Sequence, residues 1–245
     1  MKYRLARVST EEATERLLKN ERGGLGAAVL GPAEQEVFAS LKMPKRRLDW
    51  LAGRLAVKRL ALAILAERGE KAEASEVEVH NREDGSPFLA LRAKPIADIP
   101  ISLSHGPLGA AAATAGPGRL IGVDVETISE RPDSFVSIFA HPSERVPEFS
   151  SPEGLMRLWT LKEAVLKLLS LGLSVDLWDV RFSSGESGSP EFHGRALTRW
   201  EALGRPEIRC ETLVSAADIL SVAFSIASSP VPVRASIAAP GGVHA

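Results

Sequence analysis

The strongest constraint on the fold is a capped helix in the second half of the chain, which follows a strand with two carboxylates. Ser151 is a typical N-cap residue, and the helix that it opens is predicted to run to about Ser170. Upstream, the residues G-V-D-V-E belong to a predicted strand, and Asp124 and Glu126 share one face of it because strand side chains alternate. If this strand packs on the helix, both carboxylates reach the helix surface.

The helix contains W-T-L-K-E-A-V-L-K, from Trp159 to Lys167. Glu163 and Lys167 are neighbours on one surface of it because they are four residues apart. With the strand, they would bring three carboxylates together beside an ammonium group. Such oxygen clusters suit a hard divalent cation such as magnesium, which fills its coordination shell with water and substrate phosphate. The pattern therefore predicts a phosphoryl-transfer site.

Two ordinary explanations compete with that prediction. An Asp-x-Glu pair on a strand is usually a solvated face. Glu163 and Lys167 could form a simple surface ion pair, worth ~0.2–0.5 kcal/mol in a helix.

Composition limits the class of protein. The chain has 245 residues with 30 basic and 31 acidic side chains, so its net charge of -1 recruits neither nucleic acid nor an acidic membrane. Its single cysteine allows no intrachain disulfide framework, which indicates a reducing compartment. The N-terminal residues lack the apolar core of a signal peptide, and no apolar run is long enough to span a bilayer. A soluble, cytoplasmic protein is expected.

The first half contains a second long helix, predicted from Pro44 to Gly69 by the spacing of its leucines. Its other face is basic, which is usually a solvated surface but is also suited to holding a phosphate. Shorter predicted strands lie at 76–80, 101–104, 110–113, 120–125, 180–182, 191–193, 211–214 and 219–226, and a short helix is predicted from Ser9 to about Lys19. The stretch 110–113 is read as a strand against its helix propensity. Residues 129–151 are predicted to be mostly irregular, and no internal sequence repeat is apparent.

Four motifs, in this order along the chain, resemble a known enzyme family. They are D-G-S-P-F at 84–88, S-L-S-H at 102–105, G-V-D-V-E at 122–126 and W-T-L-K-E-A-V-L-K at 159–167, and the L-A-G-R at 51–54 also fits. Their order and spacing are similar to those of the 4'-phosphopantetheinyl transferases of the large surfactin-synthetase type. These enzymes move the phosphopantetheine arm of coenzyme A onto a serine of an acyl or peptidyl carrier protein. The resemblance covers roughly residues 40–226.

The resemblance implies an α/β (α+β) fold with two similar subdomains related by a pseudo-twofold axis, each a small, mostly antiparallel sheet packed on a long helix. The expected boundaries are 1–116 for the first subdomain, 117–229 for the second, which carries the metal site, and 230–245 for a flexible tail. A monomer is expected, with coenzyme A in the cleft between the halves and a carrier protein as the second substrate. The pathway served, whether fatty acid, polyketide or nonribosomal peptide synthesis, stays open.

The resemblance also implies roles for individual residues. Asp124, Glu126 and Glu163 correspond to magnesium ligands, and Lys167 to a group at the diphosphate. Either Glu163 directly or Glu144 through water would take the serine proton, and Lys167 would assist the departure of 3',5'-ADP. The predicted coenzyme A contacts, with His105 on the 3'-phosphate, are Arg47, Arg54, Lys58, Ser86, Pro87, Ser104, His105 and Lys167.

Three positions depart from the family pattern: Ser86 replaces a frequent lysine or arginine, Gly106 a frequent serine, and Ser170 a frequent glycine. Two rival functions stay open at this point. One is a module that binds coenzyme A or a carrier protein without turnover. The other is an unrelated magnesium-dependent phosphotransferase or phosphodiesterase.

Overall fold

The structure is a computed structural model that describes residues 2–21, 29–183 and 189–226. The predicted tail at 230–245 lies outside the described residues. The helices are α1 (Thr10–Glu21), α2 (Pro32–Ser40), α3 (Pro44–Glu67), α4 (Asp133–Phe139), α5 (Pro152–Leu168) and α6 (Gly194–Ala202). The strands are β1 (Arg4–Ser9), β2 (Val77–Asn81), β3 (Pro87–Leu91), β4 (Lys94–Ile96), β5 (Ile101–Gly106), β6 (Gly109–Thr114), β7 (Ile121–Thr127), β8 (Val180–Arg181), β9 (Glu191–Phe192), β10 (Ile208–Val214) and β11 (Asp218–Ser225).

The first half packs α3 on a three-stranded antiparallel sheet of order β1-β6-β5. The middle strand β6 is almost entirely alanine and is buried on both faces. Ala110 and Ala112 contribute to the core under α3, while Ala111 and Ala113 face the other half of the molecule. Only small side chains let a strand fit between two such layers, so tertiary packing overrides helix propensity here, and the strand prediction is confirmed.

The second half packs α5 on a three-stranded antiparallel sheet of order β10-β11-β7. Gly122 of β7 lies directly against α5, and a Cβ atom there would overlap the Ala164 carbonyl oxygen and crowd the Leu168 amide. Glycine therefore permits the strand backbone to approach the helix backbone. This contact is the reason that the motif on β7 begins with glycine.

The two sheets pack against each other between the helices. Val123, Val125 and Leu220 of the second half share an apolar cluster with Ala111 and Ala113 of the first. At the edge of this contact, the Ser102 hydroxyl accepts a hydrogen bond from the Val123 amide at 3.1 Å. Consecutive layers are therefore α3, the first sheet, the second sheet and α5, which confirms the mixed class with small antiparallel sheets and long helices.

Each half contains a buried lysine on its long helix. In the first half, the Lys58 ammonium pairs with Glu34 at 2.5 Å and donates to the carbonyl oxygens of Ala74 and Val77. Glu34 lies in the segment Gly31-Pro-Ala-Glu, and its carboxylate also accepts the amides of Gly31 and Val79.

The second half repeats this arrangement. The Lys162 ammonium pairs with Glu144 at 2.6 Å and donates to the carbonyl oxygens of Phe139 and Leu177. Glu144 lies in His141-Pro-Ser-Glu and accepts the amides of His141 and Phe182. The two halves thus share a hydrogen-bonding arrangement, although the two segments have only the pattern x-Pro-x-Glu in common in the sequence. Their relation by a pseudo-twofold axis stays a prediction.

Most predicted elements are confirmed, with ends that shift by a few residues. The sequence prediction missed β1, α2, β3, β4 and α6. It was wrong in part for 129–151, where α4 forms between Asp133 and Phe139. Among the described residues, no helix is long and apolar enough to cross a membrane.

The glycine at the contact between β7 and α5 provides a direct test of the fold. Gly122→Ala should lower the free energy of unfolding by about 1–3 kcal/mol, because the added methyl group meets helix backbone that cannot rotate away. Urea unfolding followed by circular dichroism measures this change. Gly116→Ala is the control, because its Cβ would meet nothing closer than 3.9 Å. Equal stability of the two variants would contradict the proposed backbone contact.

Candidate active site

Asp124 and Glu163 face each other where β7 packs on α5. Both are buried, with 5% and 6% of the residue exposed. The Asp124 Oδ1 atom accepts hydrogen bonds from the Ser104 hydroxyl and the Lys167 ammonium, both at 2.7 Å. Lys167 also donates to the Ser104 hydroxyl at 3.0 Å. The predicted residues Ser104, Asp124 and Lys167 therefore form one hydrogen-bonded cluster that joins the two halves.

The carboxylates at this position repel one another. Burial, and then the negative charge of Asp124, raise the pKa of Glu163 to about 7, although Lys167 opposes the shift. Burial and Asp124 also raise the pKa of Glu126. The positive charge of Arg131, 3.9 Å away, then that of Lys167, and a hydrogen bond from Trp159 oppose this rise in the pKa of Glu126. The site is consequently an acidic pocket in which one more positive charge would be stabilising.

Two carboxylate oxygens in the pocket, Asp124 Oδ2 and Glu163 Oε1, are buried and have no hydrogen-bond partner. Such atoms are unfavourable in a protein interior unless something binds them. Both belong to predicted magnesium ligands, and carboxylate oxygen is the donor type that magnesium prefers. The donor set therefore fits a hard divalent cation.

The described residues do not contain a fully assembled metal centre. No group of three or more histidine, cysteine, aspartate or glutamate side chains among them is gathered closely enough to hold a metal ion. Magnesium is commonly held by one or two carboxylates together with substrate phosphates and water. Asp124 and Glu163 are sufficient for that mode, and Glu126 stays a predicted third ligand.

A cleft of about 780 Å³ opens beside Lys167 and runs between the two halves. Its lining includes the basic side chains Arg54, Arg82, His105, Arg119, Lys167 and Arg199, but only one carboxylate, that of Asp84. Asp84 is itself engaged by the amide and hydroxyl of Ser86. The cleft is therefore suited to a large anionic ligand.

His105 lines this cleft at the end of β5. Its ring lies over Gly53 of α3, where a Cβ atom would overlap the Nε2 atom. Gly53, in the L-A-G-R motif, thus creates the space that the ring occupies. His105 is exposed to solvent, yet partial enclosure by protein, and then the positive charge of Arg54, lower its pKa to about 4. At neutral pH the ring is uncharged and offers a hydrogen bond rather than a full charge.

Ser86 and Pro87, which are predicted to contact coenzyme A, also line the cleft. The Arg82 guanidinium donates to the Pro87 carbonyl oxygen at 2.9 Å and to the Ser86 hydroxyl at 3.3 Å. Arg82 therefore provides a positive charge next to the position where the family pattern has a basic residue and this chain has serine.

The two predicted arginines of α3 have different surroundings. Arg54 lines the cleft but is mostly buried, with its guanidinium 4.3 Å from the centre of the Trp50 ring and 3.8 Å from Glu34. Arg47 stacks on the Phe38 ring at 4.4 Å and does not line the cleft. Arg54 stays a candidate contact for an anion in the cleft, and the contact of Arg47 with coenzyme A stays a prediction.

Two predicted site residues need correction. Lys58 is 2% exposed and its ammonium is engaged by Glu34 and two carbonyl groups, so it cannot reach a ligand in the cleft. Glu144 is 1% exposed and both of its oxygens accept hydrogen bonds, so it has no free atom with which to take a proton through water. Both residues hold the fold. Hydrophobic periodicity could not reveal this, because a buried charged pair looks like two surface residues in a sequence.

The sequence prediction also missed Arg82, Arg119 and Arg199, which line the cleft. Arg82 is near the D-G-S-P-F motif, and this proximity was the available signal. Arg119 and Arg199 lie in a turn and on a helix that carry no motif, so only the fold brings them to the cleft.

The structural role of Glu144 can be tested by unfolding. Glu144→Gln should destabilise the protein by about 3–5 kcal/mol, because it leaves the Lys162 ammonium buried without its counter-charge. Glu201→Gln, which removes one member of an exposed pair with Arg205, should cost at most about 1 kcal/mol. Both values come from urea unfolding. A Glu144 variant as stable as the Glu201 variant would show that the buried pair is not structural.

Residues 120–213 match a family model described as the 4'-phosphopantetheinyl transferase superfamily. No curated protein matches the chain. Among solved structures, the chain is similar to the holo-ACP-synthase from Plasmodium yoelii, with 21% identity and a TM-score of 0.38 over 46% of this chain and 91% of that one. A TM-score of this size does not establish a common fold.

Proposed function

We propose that this protein transfers the 4'-phosphopantetheine group of coenzyme A to a serine of an acyl or peptidyl carrier protein and releases 3',5'-ADP. In this proposal the protein is a transferase of the large surfactin-synthetase type and acts as a monomer in the cytoplasm. The match of residues 120–213 to the 4'-phosphopantetheinyl transferase superfamily supports it.

One observation carries the proposal. The segment that matches the family, 120–213, includes both β7 and α5, and these two elements bring Asp124 and Glu163 together with two unpaired carboxylate oxygens. A buried acidic pocket has no evident structural use, because burying repelling carboxylates costs stability. Binding of a cation and of a phosphate substrate would give the acidic pocket a function.

The cleft provides the complementary half of the argument. Coenzyme A carries a diphosphate and a 3'-phosphate, and the cleft beside Lys167 has several cations and a single carboxylate along its walls. The acidic pocket would hold the metal ion, and the basic cleft the remaining negative charge. Lys167 belongs to both, since it binds Asp124 and also lines the cleft.

Asp124 and Glu163, with Glu126 as a further candidate, would hold magnesium in this proposal. When bound, magnesium supplies positive charge to the diphosphate oxygens as the phosphorus–oxygen bond breaks. Glu163 is also the candidate acceptor of the serine proton, because burial and the negative charge of Asp124 raise its pKa to about 7. Lys167 would stabilise or protonate the departing 3',5'-ADP. Ser104 orients both Asp124 and Lys167 through its hydroxyl group.

The rival functions explain fewer of these features. A module that only binds coenzyme A would need the basic cleft, but not two buried carboxylate oxygens without partners. An unrelated magnesium-dependent phosphotransferase would need the carboxylates, but the match to the superfamily over 120–213 would then be unexplained.

Transfer can be measured by incubating the protein with coenzyme A, magnesium and an apo carrier protein, and then weighing the carrier by mass spectrometry. The carrier should gain one phosphopantetheine group. Glu163→Gln should reduce turnover by roughly two to four orders of magnitude, the range expected for a general base or an important electrostatic group.

Glu153→Gln is the matched control on the same helix. Glu153 is partly exposed and pairs with Arg157 one turn away, so its loss should leave turnover nearly unchanged. A Glu163 variant as active as this control would remove Glu163 from the reaction. No mass gain with carriers of any class would exclude the proposed function.

A further inference from the structure

Three helices end with the same hydrogen bonds, but only one of them ends in serine. At the ends of α3 and α6, the left-handed position is occupied by Gly69 (φ 77°) and Gly204 (φ 82°). At the end of α5 it is occupied by Ser170 (φ 55°). The Ser170 amide donates to Lys167, and the next amide, that of Leu171, donates to Leu166, as in a Schellman motif.

Serine is an unfavourable choice at this position. A left-handed conformation brings Cβ close to the backbone, and glycine avoids that contact. The backbone hydrogen bonds of the motif need no side chain, so they give no reason for a serine. A residue kept in such a conformation suggests that its side chain has another role.

The surroundings of Ser170 differ from those of the two glycines. Ser170 lines the large cleft together with Lys167, whereas Gly69 and Gly204 do not. Arg199 of α6 lines the same part of the cleft, and its Nε atom donates to the Leu169 carbonyl oxygen at 3.0 Å. This bond holds the Arg199 guanidinium at the last turn of α5, at the residue before Ser170. The end of α5 therefore presents the Ser170 residue to a cleft whose lining also includes the cations Lys167 and Arg199.

We infer that the Ser170 hydroxyl is a binding residue for the diphosphate of coenzyme A, retained at a cost in stability. The inference rests on the proposed function, because it assigns coenzyme A to the cleft. Hydroxyl groups donate to phosphate oxygens, and Lys167 and Arg199 supply positive charge in the same cleft. The proposed function places Lys167 at the diphosphate, and Ser170 follows Lys167 by about one helical turn. We therefore assign the Ser170 hydroxyl to the diphosphate rather than to the 3'-phosphate.

The test separates binding from stability with three variants. Ser170→Ala removes the hydroxyl and keeps a Cβ atom in the strained left-handed conformation. Ser170→Gly removes the hydroxyl and also the backbone strain, because glycine has no Cβ atom. Ala93→Gly is the matched control: Ala93 is left-handed as well (φ 62°), but it lies in the exposed turn between β3 and β4, away from the cleft. Calorimetric titration gives the affinity for coenzyme A and for 3'-dephospho-coenzyme A, and thermal unfolding gives Tm.

Both Ser170 variants should bind coenzyme A and its dephospho form about 10-fold more weakly, by the same factor for each, as expected for the loss of a hydrogen bond to a charged group. Ser170→Gly should nevertheless raise Tm by about 2–4 °C. Ala93→Gly should raise Tm similarly without changing either affinity.

Unchanged affinity in both Ser170 variants would overturn the inference while leaving the proposed function intact. A loss confined to coenzyme A, with the dephospho form unaffected, would overturn the assignment to the diphosphate. If the unmodified protein binds neither compound, the proposed function fails and the inference fails with it.

Discussion

The candidate site depends on one close contact, the packing of the β7 backbone on α5 at Gly122. A side chain at this position would push the strand away from the helix. The distance between strand and helix decides whether Asp124 can face Glu163. Asp124 lies two residues after Gly122 on the strand, and Glu163 lies less than one turn from the contact on the helix. A site that must hold two such groups in a fixed geometry needs rigid elements, because small displacements are costly. The glycine in the motif therefore helps to position the carboxylates of the site.

The surrounding structure keeps α5 in place for that contact. Lys162, one residue before Glu163, is directed away from the site and binds Glu144 and two backbone carbonyl groups in the interior. Burial of this ion pair adds little net stability. The pair nevertheless fixes the position of α5, because separating its members would leave a buried charge without its counter-charge. The same arrangement of Lys58 and Glu34 holds α3, whose Gly53 makes room for His105. Each half thus uses a buried lysine to fix the helix that lines the cleft.

Much of this site could be predicted from local sequence. Alternation along β7 and helical spacing in α5 correctly indicated that Asp124, Glu163 and Lys167 come together, because side-chain direction follows from secondary structure. Lys58 and Glu144 were assigned to the site incorrectly. Their partners are distant in the chain, and no periodicity distinguishes a buried ion pair from a solvated one. Likewise, the alanine strand β6 was predicted only by setting aside propensity, since its conformation is imposed by two packed layers.

The central claim is that Asp124 and Glu163 hold a divalent cation at the end of a cleft that binds coenzyme A. Crystals grown with manganese and coenzyme A, examined by anomalous diffraction, test it most directly. The account predicts one anomalous peak within about 2.2 Å of Asp124 Oδ2 and of Glu163 Oε1, with diphosphate density completing its coordination. No peak at this position, or a peak held by other residues while coenzyme A occupies the cleft, would contradict it.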